Sequence, residues 1–307
     1  MSSDSKRASR REFFKVLGAG AATAAVTAPT AALGFDLDTF FQKHFRRMDD
    51  DELQAVIERK AAEYAKTYGK EFTVKATPAY EDVLFGYGLD ISRCIGCRRC
   101  VHACVEENNQ SRDPEIQWIR VLEFERESAI RGIDLEAGNP YYDPETVPQK
   151  DKFYMPIACM QCEDSPCTNV CPTGATWRSN DGIVVIDYDW CIGCRYCMAA
   201  CPYGARHFNW KEPTLPADEV NTNIHLLGNA PRKKGVVEKC HWCIHRTREG
   251  KYPACLEACP VGARKFGNLL DPDSEIRQIM ATKRTFVLKS ELGTNPKFFY
   301  FFGGAER

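Results

Sequence analysis

The sequence has almost no net charge. Its 307 residues include 41 Lys and Arg against 42 Asp and Glu, which gives a formal net charge of −1, so the overall charge offers no case for binding nucleic acid. After residue 35, no stretch is long and apolar enough to span a membrane. The sequence also lacks the G-x-G-x-x-G fingerprint, the P-loop, the G-x-S-x-G elbow, the H-E-x-x-H motif and the C-x-x-C-H haem motif. These absences argue against nucleotide-dependent enzymes, serine hydrolases, zinc proteases and c-type cytochromes, and no substrate site is recognisable.

What the sequence does contain is cysteine: sixteen residues, which fall into four groups of four with none left over. Groups one to four are, in order, Cys94, Cys97, Cys100 and Cys104; Cys159, Cys162, Cys167 and Cys171; Cys191, Cys194, Cys197 and Cys201; and Cys240, Cys243, Cys255 and Cys259. Group three has the bacterial ferredoxin spacing C-x2-C-x2-C-x3-C-P, and the other groups are variants of it. A tight loop points three thiolates at one place, and the fourth cysteine begins a helical turn toward a neighbouring cluster. The pattern predicts four [4Fe–4S] clusters and therefore a carrier of electrons.

Two other uses of cysteine compete with this interpretation. Disulfides are favoured by the even count and by the export argued below, but the steps within the groups are short, and disulfides stabilise most when they close long loops. Structural zinc sites usually take two separated C-x2-C pairs, whereas three of the four groups carry a third cysteine within two to four residues. The spacing therefore favours iron–sulfur clusters.

An internal repeat supports this interpretation. The pattern C-P-x-G-A occurs at residues 171–175, 201–205 and 259–263. Proline ends the turn that carries the cysteine, and glycine lets the chain pass close to a cluster. Group one departs from the rule, because valine follows its last cysteine. Between groups two and three, residues 175–178 and 182–186 flank an Asp-Gly turn signal and predict a β-hairpin.

With these motifs the chain resembles the four-cluster iron–sulfur subunits of the DMSO reductase and polysulfide reductase superfamily of membrane respiratory complexes. The resemblance covers roughly residues 85–300 and rests on the four groups, the eleven-residue gap in group four and the sequence L-G-T-N-P at 292–296. It implies that group one pairs with four and group two with three, each group lending its last cysteine to its partner, an exchange that two-cluster ferredoxins also make. The implied ligand sets are Cys94, Cys97, Cys100 and Cys259; Cys240, Cys243, Cys255 and Cys104; Cys159, Cys162, Cys167 and Cys201; and Cys191, Cys194, Cys197 and Cys171.

The resemblance also implies a fold and a function. The expected fold is α+β, with two ferredoxin-like lobes, residues 90–158 with 236–307 and residues 159–235. Residues 35–89 have no counterpart in the family, and their local pattern predicts an N-terminal helical extension. The expected function is electron transfer between a quinone-reactive integral membrane subunit and a catalytic molybdopterin subunit or a multihaem cytochrome subunit, with membrane association through these partners. A self-sufficient iron–sulfur oxidoreductase and a zinc-binding assembly scaffold are the alternatives.

The N-terminus predicts export. Arg10 and Arg11 precede an uncharged stretch rich in Ala, Gly and Thr, which resembles a twin-arginine signal. Export of a folded protein suits clusters that are built in the cytoplasm. Residues 1–34 are therefore interpreted as the signal, and the outer, periplasmic face of the cytoplasmic membrane as the destination. A basic disordered tail and a membrane-spanning helix are the alternatives, although Pro29 and the small residues make a poor span.

Three other segments carry local signals. Residues 49–68 predict a helix, with an acidic start at Asp49 and a stop at Gly69. Ahead of it, residues 37–45 carry a second apolar stripe. The aromatic run at 298–302 predicts either an edge strand covered by the protein's own core or a docking patch for a partner.

Basic residues beside the cysteines could offset the negative charge of the clusters, roughly −2 each with four thiolates when oxidised, and so raise their reduction potentials. They are Arg93, Arg98, Arg99, Arg195, Arg206, Arg264 and Lys265. A solvated basic face is the competing interpretation. The histidines near the groups are His102, His207, His241 and His245. We expect them to lie behind the ligands or at the surface, because cysteine already completes each ligand set.

Overall fold

The computed structural model describes residues 48–127 and 133–304. The predicted export signal and the apolar stripe at 37–45 lie outside the described residues. Within them the helices are α1 (Asp50–Tyr68), α2 (Arg99–Glu107), α3 (Pro166–Asn169), α4 (Tyr196–Ala200), α5 (Ile244–Thr247), α6 (Ala254–Glu257) and α7 (Glu275–Thr282). The strands are β1 (Thr73–Lys75), β2 (Phe85–Asp90), β3 (Arg120–Glu125), β4 (Lys152–Ile157), β5 (Thr176–Arg178), β6 (Val184–Ile186), β7 (His207–Phe208), β8 (Asn223–His225), β9 (Val237–Glu238), β10 (Arg264–Asn268), β11 (Thr285–Phe286) and β12 (Phe298–Phe301). No helix among these has the length and apolar character needed to span a membrane.

Helix α1 begins and ends where its sequence predicts. The side chain of Asp49 accepts a hydrogen bond from the backbone N–H of Glu52, and the Glu52 side chain accepts one from the N–H of Asp49, so the two residues form a capping box. Gly69 ends the helix with a φ of 68°, a left-handed conformation that glycine adopts at little cost. Tyr64 on the inner face packs against Phe72.

The four-stranded sheet joins distant parts of the sequence. Its strand order is β10-β2-β12-β11, with β2 antiparallel to β10 and parallel to β12. The aromatic run forms β12 inside this sheet, where Phe298 and Tyr300 are fully buried. The run is therefore neither an edge strand nor a docking patch; only Phe302, just past the strand, is exposed.

The smaller elements are arranged around the cysteine groups. Strands β5 and β6 form the predicted antiparallel hairpin, and Gly182 supplies a φ of 80° in its turn. Helix α2, which carries Cys100 and Cys104 of group one, contacts α6 of group four, and α3 of group two contacts α4 of group three. The predicted α+β fold is confirmed. The boundaries of the two lobes stay a prediction.

The apolar core surrounds some cysteines densely and others thinly. The main cluster includes Leu89, Met155 and Tyr300 and extends to cysteines of groups one, two and four. Around group three, a separate cluster of seven buried residues includes two cysteines, Cys167 and Cys197. So small a core buries little apolar surface, and a bound metal group would stabilise this region.

Candidate metal centres

The structure brings the cysteines together in four sets. All sixteen lie within the described residues and none forms a disulfide, so the disulfide interpretation is not supported. Centre 1 contains Cys94, Cys97, Cys100 and Cys259; centre 2 contains Cys104, Cys240, Cys243 and Cys255; centre 3 contains Cys159, Cys162, Cys167 and Cys201; and centre 4 contains Cys171, Cys191, Cys194 and Cys197. These are the sets that the family resemblance implies.

Centres 1, 3 and 4 each surround a cavity. The three cavities are of nearly equal size, each with room for about one water-sized sphere, about 20 Å³, and each is partly open to solvent. Within the described chain, no three His, Cys, Asp or Glu side chains are arranged to hold a single metal ion. A zinc ion needs its four sulfur ligands at about 2.3 Å, and the cysteine sulfurs of these sets do not converge on one point in that way. The geometry suits a group of several atoms, such as an iron–sulfur cluster.

Centre 2 is the most deeply buried. Its four cysteines expose between 3 and 7 % of their surface. The Asn108 amide nitrogen lies 3.6 Å from the sulfur of Cys104 and 3.6 Å from that of Cys243. The Gln110 amide donates to Cys104 at 3.2 Å, and the Tyr87 hydroxyl is 3.3 Å from the sulfur of Cys255. These three polar residues were not predicted from the sequence, although the polar run N-N-Q directly after α2 was a signal for two of them.

Left-handed residues shape the loops that carry the cysteines. Arg98, Arg195 and Cys243 have φ of 56°, 65° and 53° and immediately precede helices α2, α4 and α5. Successive backbone N–H groups in such turns point into one concavity, which favours a negatively charged group.

Two glycines of the C-I-G-C loops are required by their surroundings. Gly96 and Gly193 have φ of 75° and 71°. A Cβ atom at Gly96 would overlap the ring of Tyr154, and one at Gly193 would overlap the carbonyl oxygen of Gly235. Both loops therefore run in close contact with another part of the chain, which holds their cysteines toward the cavities.

The cysteines need a cation to become thiolates. Burial, as the main cause, raises the pKa of Cys94, Cys162 and Cys240 to about 12. The thiolate is the form that binds a metal, and metal binding releases its proton. Buried cysteines that hold their protons this tightly therefore fit a group that brings positive charge, as the irons of a cluster do.

The four centres form a series. Burial is the main cause of the raised cysteine pKa values, but a cysteine of one centre adds to the rise in the next centre through its charge. The pairs are Cys100 with Cys255, Cys159 with Cys240, and Cys167 with Cys197. Contacts agree with the order 1–2–3–4. Arg264 and Tyr87 connect centre 1 to centre 2, the amide of Gln161 in group two donates to the carbonyl oxygen of Cys240 in centre 2 at 2.8 Å, and Arg206 lines the cavities of centres 3 and 4. The cysteines of centres 2 and 3 are buried except for Cys201, while those of centres 1 and 4 are partly exposed except for Cys197.

The basic residues divide into two kinds. Arg206 and Arg264 are each only 4 % exposed, and they donate hydrogen bonds to the sulfurs of Cys167 and Cys100 at 2.9 and 3.1 Å. The others are exposed or half-buried: Arg93, Arg98, Arg99, Arg195 and Lys265. A solvated basic face describes Arg93, Arg99 and Lys265, whereas Arg98 and Arg195 line the cavities of centres 1 and 4 from their outer side. Among these seven described residues, only the two buried arginines donate to a cysteine sulfur.

The four histidines lie at different depths. His102 is exposed, His207 is half-buried, and His241 and His245 are buried. None of them lines the cavities of centres 1, 3 and 4. His245 instead places its Nε2 atom 2.7 Å from a carboxylate oxygen of Glu107.

Comparisons with known proteins agree with this arrangement. Two family models, both described as a 4Fe-4S dicluster domain, match residues 93–175 in one case and residues 150–220 and 227–269 in the other. The chain is 43% identical to a putative iron–sulfur subunit of dimethyl sulfoxide reductase from Halobacterium salinarum, over 71% of this chain and 79% of the relative. It is 40% identical to a subunit of selenate reductase from Mesobacillus selenatarsenatis, over 69% and 70% of the two chains.

The match to a further relative covers a larger share of that relative's length. The chain is 36% identical to the iron–sulfur cluster-binding subunit of a menaquinone reductase from Nitratidesulfovibrio vulgaris, over 75% of this chain and 90% of the relative. The similarity includes all four cysteine groups within the matched domain models. The chain therefore belongs to the family of iron–sulfur subunits of respiratory reductases that carry 4Fe-4S dicluster domains, and its function is electron transfer.

Proposed function

We propose that the chain holds four [4Fe–4S] clusters, one in each centre, and passes single electrons along the series 1–2–3–4 or in the reverse direction. The observation that carries the proposal is the pattern of burial along this series. The cysteines of the inner centres are buried except for Cys201, and those of the outer centres are partly exposed except for Cys197. An electron carrier between two proteins needs accessible ends and an insulated interior.

The cysteines of each centre are the proposed ligands of its cluster. The support is threefold: the donors in each set are all cysteine sulfurs, the cavities are of similar size, and the last cysteine of each group reaches the centre of its partner group, as in two-cluster ferredoxins. A bound cluster supplies one-electron chemistry. The chain's own part is to supply thiolates, to donate hydrogen bonds to sulfur and to exclude water, which together set the reduction potentials.

The proposed partners are a quinone-reactive integral membrane subunit and a catalytic molybdopterin or multihaem cytochrome subunit. Two relatives are named as subunits of selenate reductase and of menaquinone reductase, which supports assembly with other chains. Centre 4 is bordered by the exposed side chains of Trp190, Ile192 and Tyr196, which are 43, 46 and 64 % exposed. Exposed apolar and aromatic patches of this kind usually mark a surface that binds another protein.

The proposed location is the outer face of the cytoplasmic membrane, reached through a twin-arginine signal in residues 1–34. The support is the pair Arg10-Arg11 and the uncharged stretch behind it. Replacing both arginines by lysine should retain the cluster-loaded protein in the cytoplasm, as measured by cell fractionation. Equal export of the variant and the parent protein would contradict this location.

Metal analysis of the full chain tests the four-cluster proposal. Protein prepared without oxygen should contain about sixteen iron atoms and as much acid-labile sulfide, since each cubane cluster contains four of each. A redox titration followed by electron paramagnetic resonance (EPR) should show four one-electron steps. Far less iron would refute four clusters, and a colourless protein that binds zinc without sulfide would favour the assembly scaffold instead.

The alternative of a self-sufficient oxidoreductase requires a substrate pocket beside a cluster. A groove of about 1,830 Å³ lies between helix α1 and residues 225–233, but no cysteine lines it. The groove therefore offers no contact with a cluster. Reduction of a small molecule by the isolated chain would favour this alternative, and co-purification with membrane and catalytic subunits would favour the electron-transfer subunit.

A further inference from the structure

Two of the three C-P-x-G-A repeats are followed by arginine. Arg206 follows the repeat that begins at Cys201, and Arg264 follows the repeat that begins at Cys259, whereas threonine follows the third repeat. Cys259 belongs to centre 1 and Cys201 to centre 3. The two arginines therefore occupy equivalent positions in the pair of centres 1 and 2 and in the pair of centres 3 and 4.

Arg264 lies between centres 1 and 2. Its Nη2 donates to the sulfur of Cys100 in centre 1 at 3.1 Å, and its Nη1 donates to the hydroxyl of Tyr87 at 3.3 Å. The same hydroxyl is 3.3 Å from the sulfur of Cys255 in centre 2. The guanidinium and the tyrosine thus form a hydrogen-bonded connection from a sulfur of one centre to a sulfur of the next.

Arg206 lies between centres 3 and 4. Its Nη2 donates to the sulfur of Cys167 in centre 3 at 2.9 Å, and its side chain lines the cavities of both centres. The Nε and Nη1 atoms of Arg206 are buried and have no acceptor among the described atoms, so donors remain for groups held in the cavities.

Among the described residues, no acidic side chain neutralises the charge of Arg206 or Arg264. Two other buried arginines have carboxylate partners: Arg232 lies 2.9 Å from Glu238, and Arg248 lies 2.7 Å from Asp181. Neither Arg206 nor Arg264 forms an ion pair with an acidic side chain of the described residues. A buried cation without a counter-charge is strongly destabilising. A cluster with four thiolates carries roughly −2 when oxidised and −3 when reduced, which supplies the missing charge from both sides.

We infer that Arg206 and Arg264 are bridging cations, each of which stabilises the reduced state of both clusters in its pair of centres. The inference rests on the proposed occupation of the centres by clusters. Reduction adds one electron and no proton to a cluster, so its negative charge rises by one beside the guanidinium. Because each guanidinium lies between two centres, removing its charge lowers both reduction potentials of one pair and leaves the other pair unchanged. The two arginines are positioning residues that act on the clusters through their sulfur ligands.

The test uses the full chain with Arg264→Gln, Arg206→Gln, and the exposed Arg93→Gln as control, since the Arg93 side chain is 58 % exposed. Iron and sulfide content are measured first, so that failure of the four-cluster proposal is seen separately. EPR-monitored titration then follows the four one-electron steps. In Arg264→Gln, two of the four steps should show a ratio of reduced to oxidised cluster that is at least tenfold lower at a fixed potential. This corresponds to reduction potentials lower by about 59 mV or more for a one-electron step. In Arg206→Gln the other two steps should shift, and in Arg93→Gln none.

Lysine variants separate charge from structure. Arg264→Lys and Arg206→Lys keep the positive charge but lose the planar donor fork, and their potentials should lie nearer the parent values than those of the glutamine variants. If a glutamine variant fails to retain its clusters, the potentials of the lysine variant are compared with those of the parent protein in its place. Unchanged potentials in fully loaded glutamine variants would overturn the inference. A shift of only one redox step would also overturn it, and so would a shift of the same two steps in both glutamine variants. The same holds if a lysine variant shows a tenfold or larger change in the ratio of reduced to oxidised cluster relative to the parent protein.

Discussion

Cys104 and Cys243 come from the first and the last cysteine group of the chain, yet their sulfur atoms both lie 3.6 Å from the same side-chain amide, that of Asn108. This contact places the last cysteine of group one in the centre that group four builds. Groups one and four thus exchange their last cysteines because helix α2 packs against α6.

Replacement of Cys104 by serine should therefore disturb centre 2 and spare centre 1. At most one cluster, about four iron atoms of about sixteen, should be lost, and one of the four EPR signals should change. The matched variant Cys259→Ser should change a different signal, because Cys259 lines the cavity of centre 1. The same signal changing in both variants would contradict the exchange.

Gly193→Ala should disrupt centre 4. The new Cβ would overlap the carbonyl oxygen of Gly235, and the residue has a φ of 71°, which alanine rarely adopts. We expect loss of one cluster, measured by iron content and EPR, with a lower midpoint of thermal unfolding. Gly174→Ala is the control, because it has a φ of 62° but no atom within 4 Å of its Cβ position. This control should lower the free energy of unfolding only through the strain of the left-handed conformation, about 1–2 kcal/mol. If both variants lost a cluster equally, the close contact with Gly235 would not be the cause.

Glu238→Gln should destabilise the fold by about 3 kcal/mol or more. Glu238 and Arg232 are essentially inaccessible to solvent and lie 2.9 Å apart, and removal of one charge leaves the other buried without its counter-charge. The control is Glu219→Gln, whose carboxylate is 48 % exposed and pairs with Arg112; it should cost about 0–1 kcal/mol. Urea unfolding without oxygen, at pH 7.5, measures both. Equal midpoints for the two variants would mean that the buried pair does not stabilise the fold.

His225 should make stability depend on pH. Burial is the main reason that its pKa falls to about 4, and the positive charge of Arg248 lowers it further, while a hydrogen bond to Thr77 and the charge of Asp181 oppose the fall. One ring nitrogen lies 3.0 Å from the Thr77 carbonyl oxygen. The other accepts the N–H of Leu227 at 3.1 Å. A second ring proton would point at that N–H, so the folded protein keeps this histidine neutral.

The sign of the effect follows from proton linkage. Above about pH 6.5 the ring is neutral in both the folded and the unfolded chain, so its contribution is constant. As the pH is lowered from about 6.5 to about 4, the unfolded chain binds the proton and the folded chain does not. The free energy of unfolding therefore decreases by about 3 kcal/mol in total over this range. The urea midpoint should therefore drop between pH 7 and pH 4.5, and His225→Gln should drop less. An equal drop in both proteins would assign the pH dependence to other groups.

Some of the fold could be predicted from short stretches of sequence. Helix α1 is specified by Asp49 at one end and Gly69 at the other, and the β5–β6 hairpin by the Asp181-Gly182 turn. These predictions succeed because each depends on contacts between residues close in the chain. The aromatic run at 298–302 predicts an edge strand or a docking surface, and it forms a central strand instead. Its neighbours, β2 and β11, are contacts that no local pattern contains.

The candidate site shows the same division. Cysteine spacing predicts that sulfurs gather in compact loops, because a chelating loop is a local structure. The buried donors at Asn108, Gln110 and Tyr87 had no comparable signal, since their contacts with sulfur arise from how separate segments pack. Among seven basic residues near the cysteines, composition could not separate Arg206 and Arg264 from the exposed ones.

By itself, the sequence determined the chemistry of the donors, the number of cysteine groups, the ends of helix α1 and the β5–β6 hairpin, because spacing and turn residues act over a few positions. Only the tertiary structure decided the series of the four centres, which of them are shielded from water, and which arginines stand between them. Those properties depend on the burial of charge and on contacts between distant segments, and such contacts exist only after those segments have packed together.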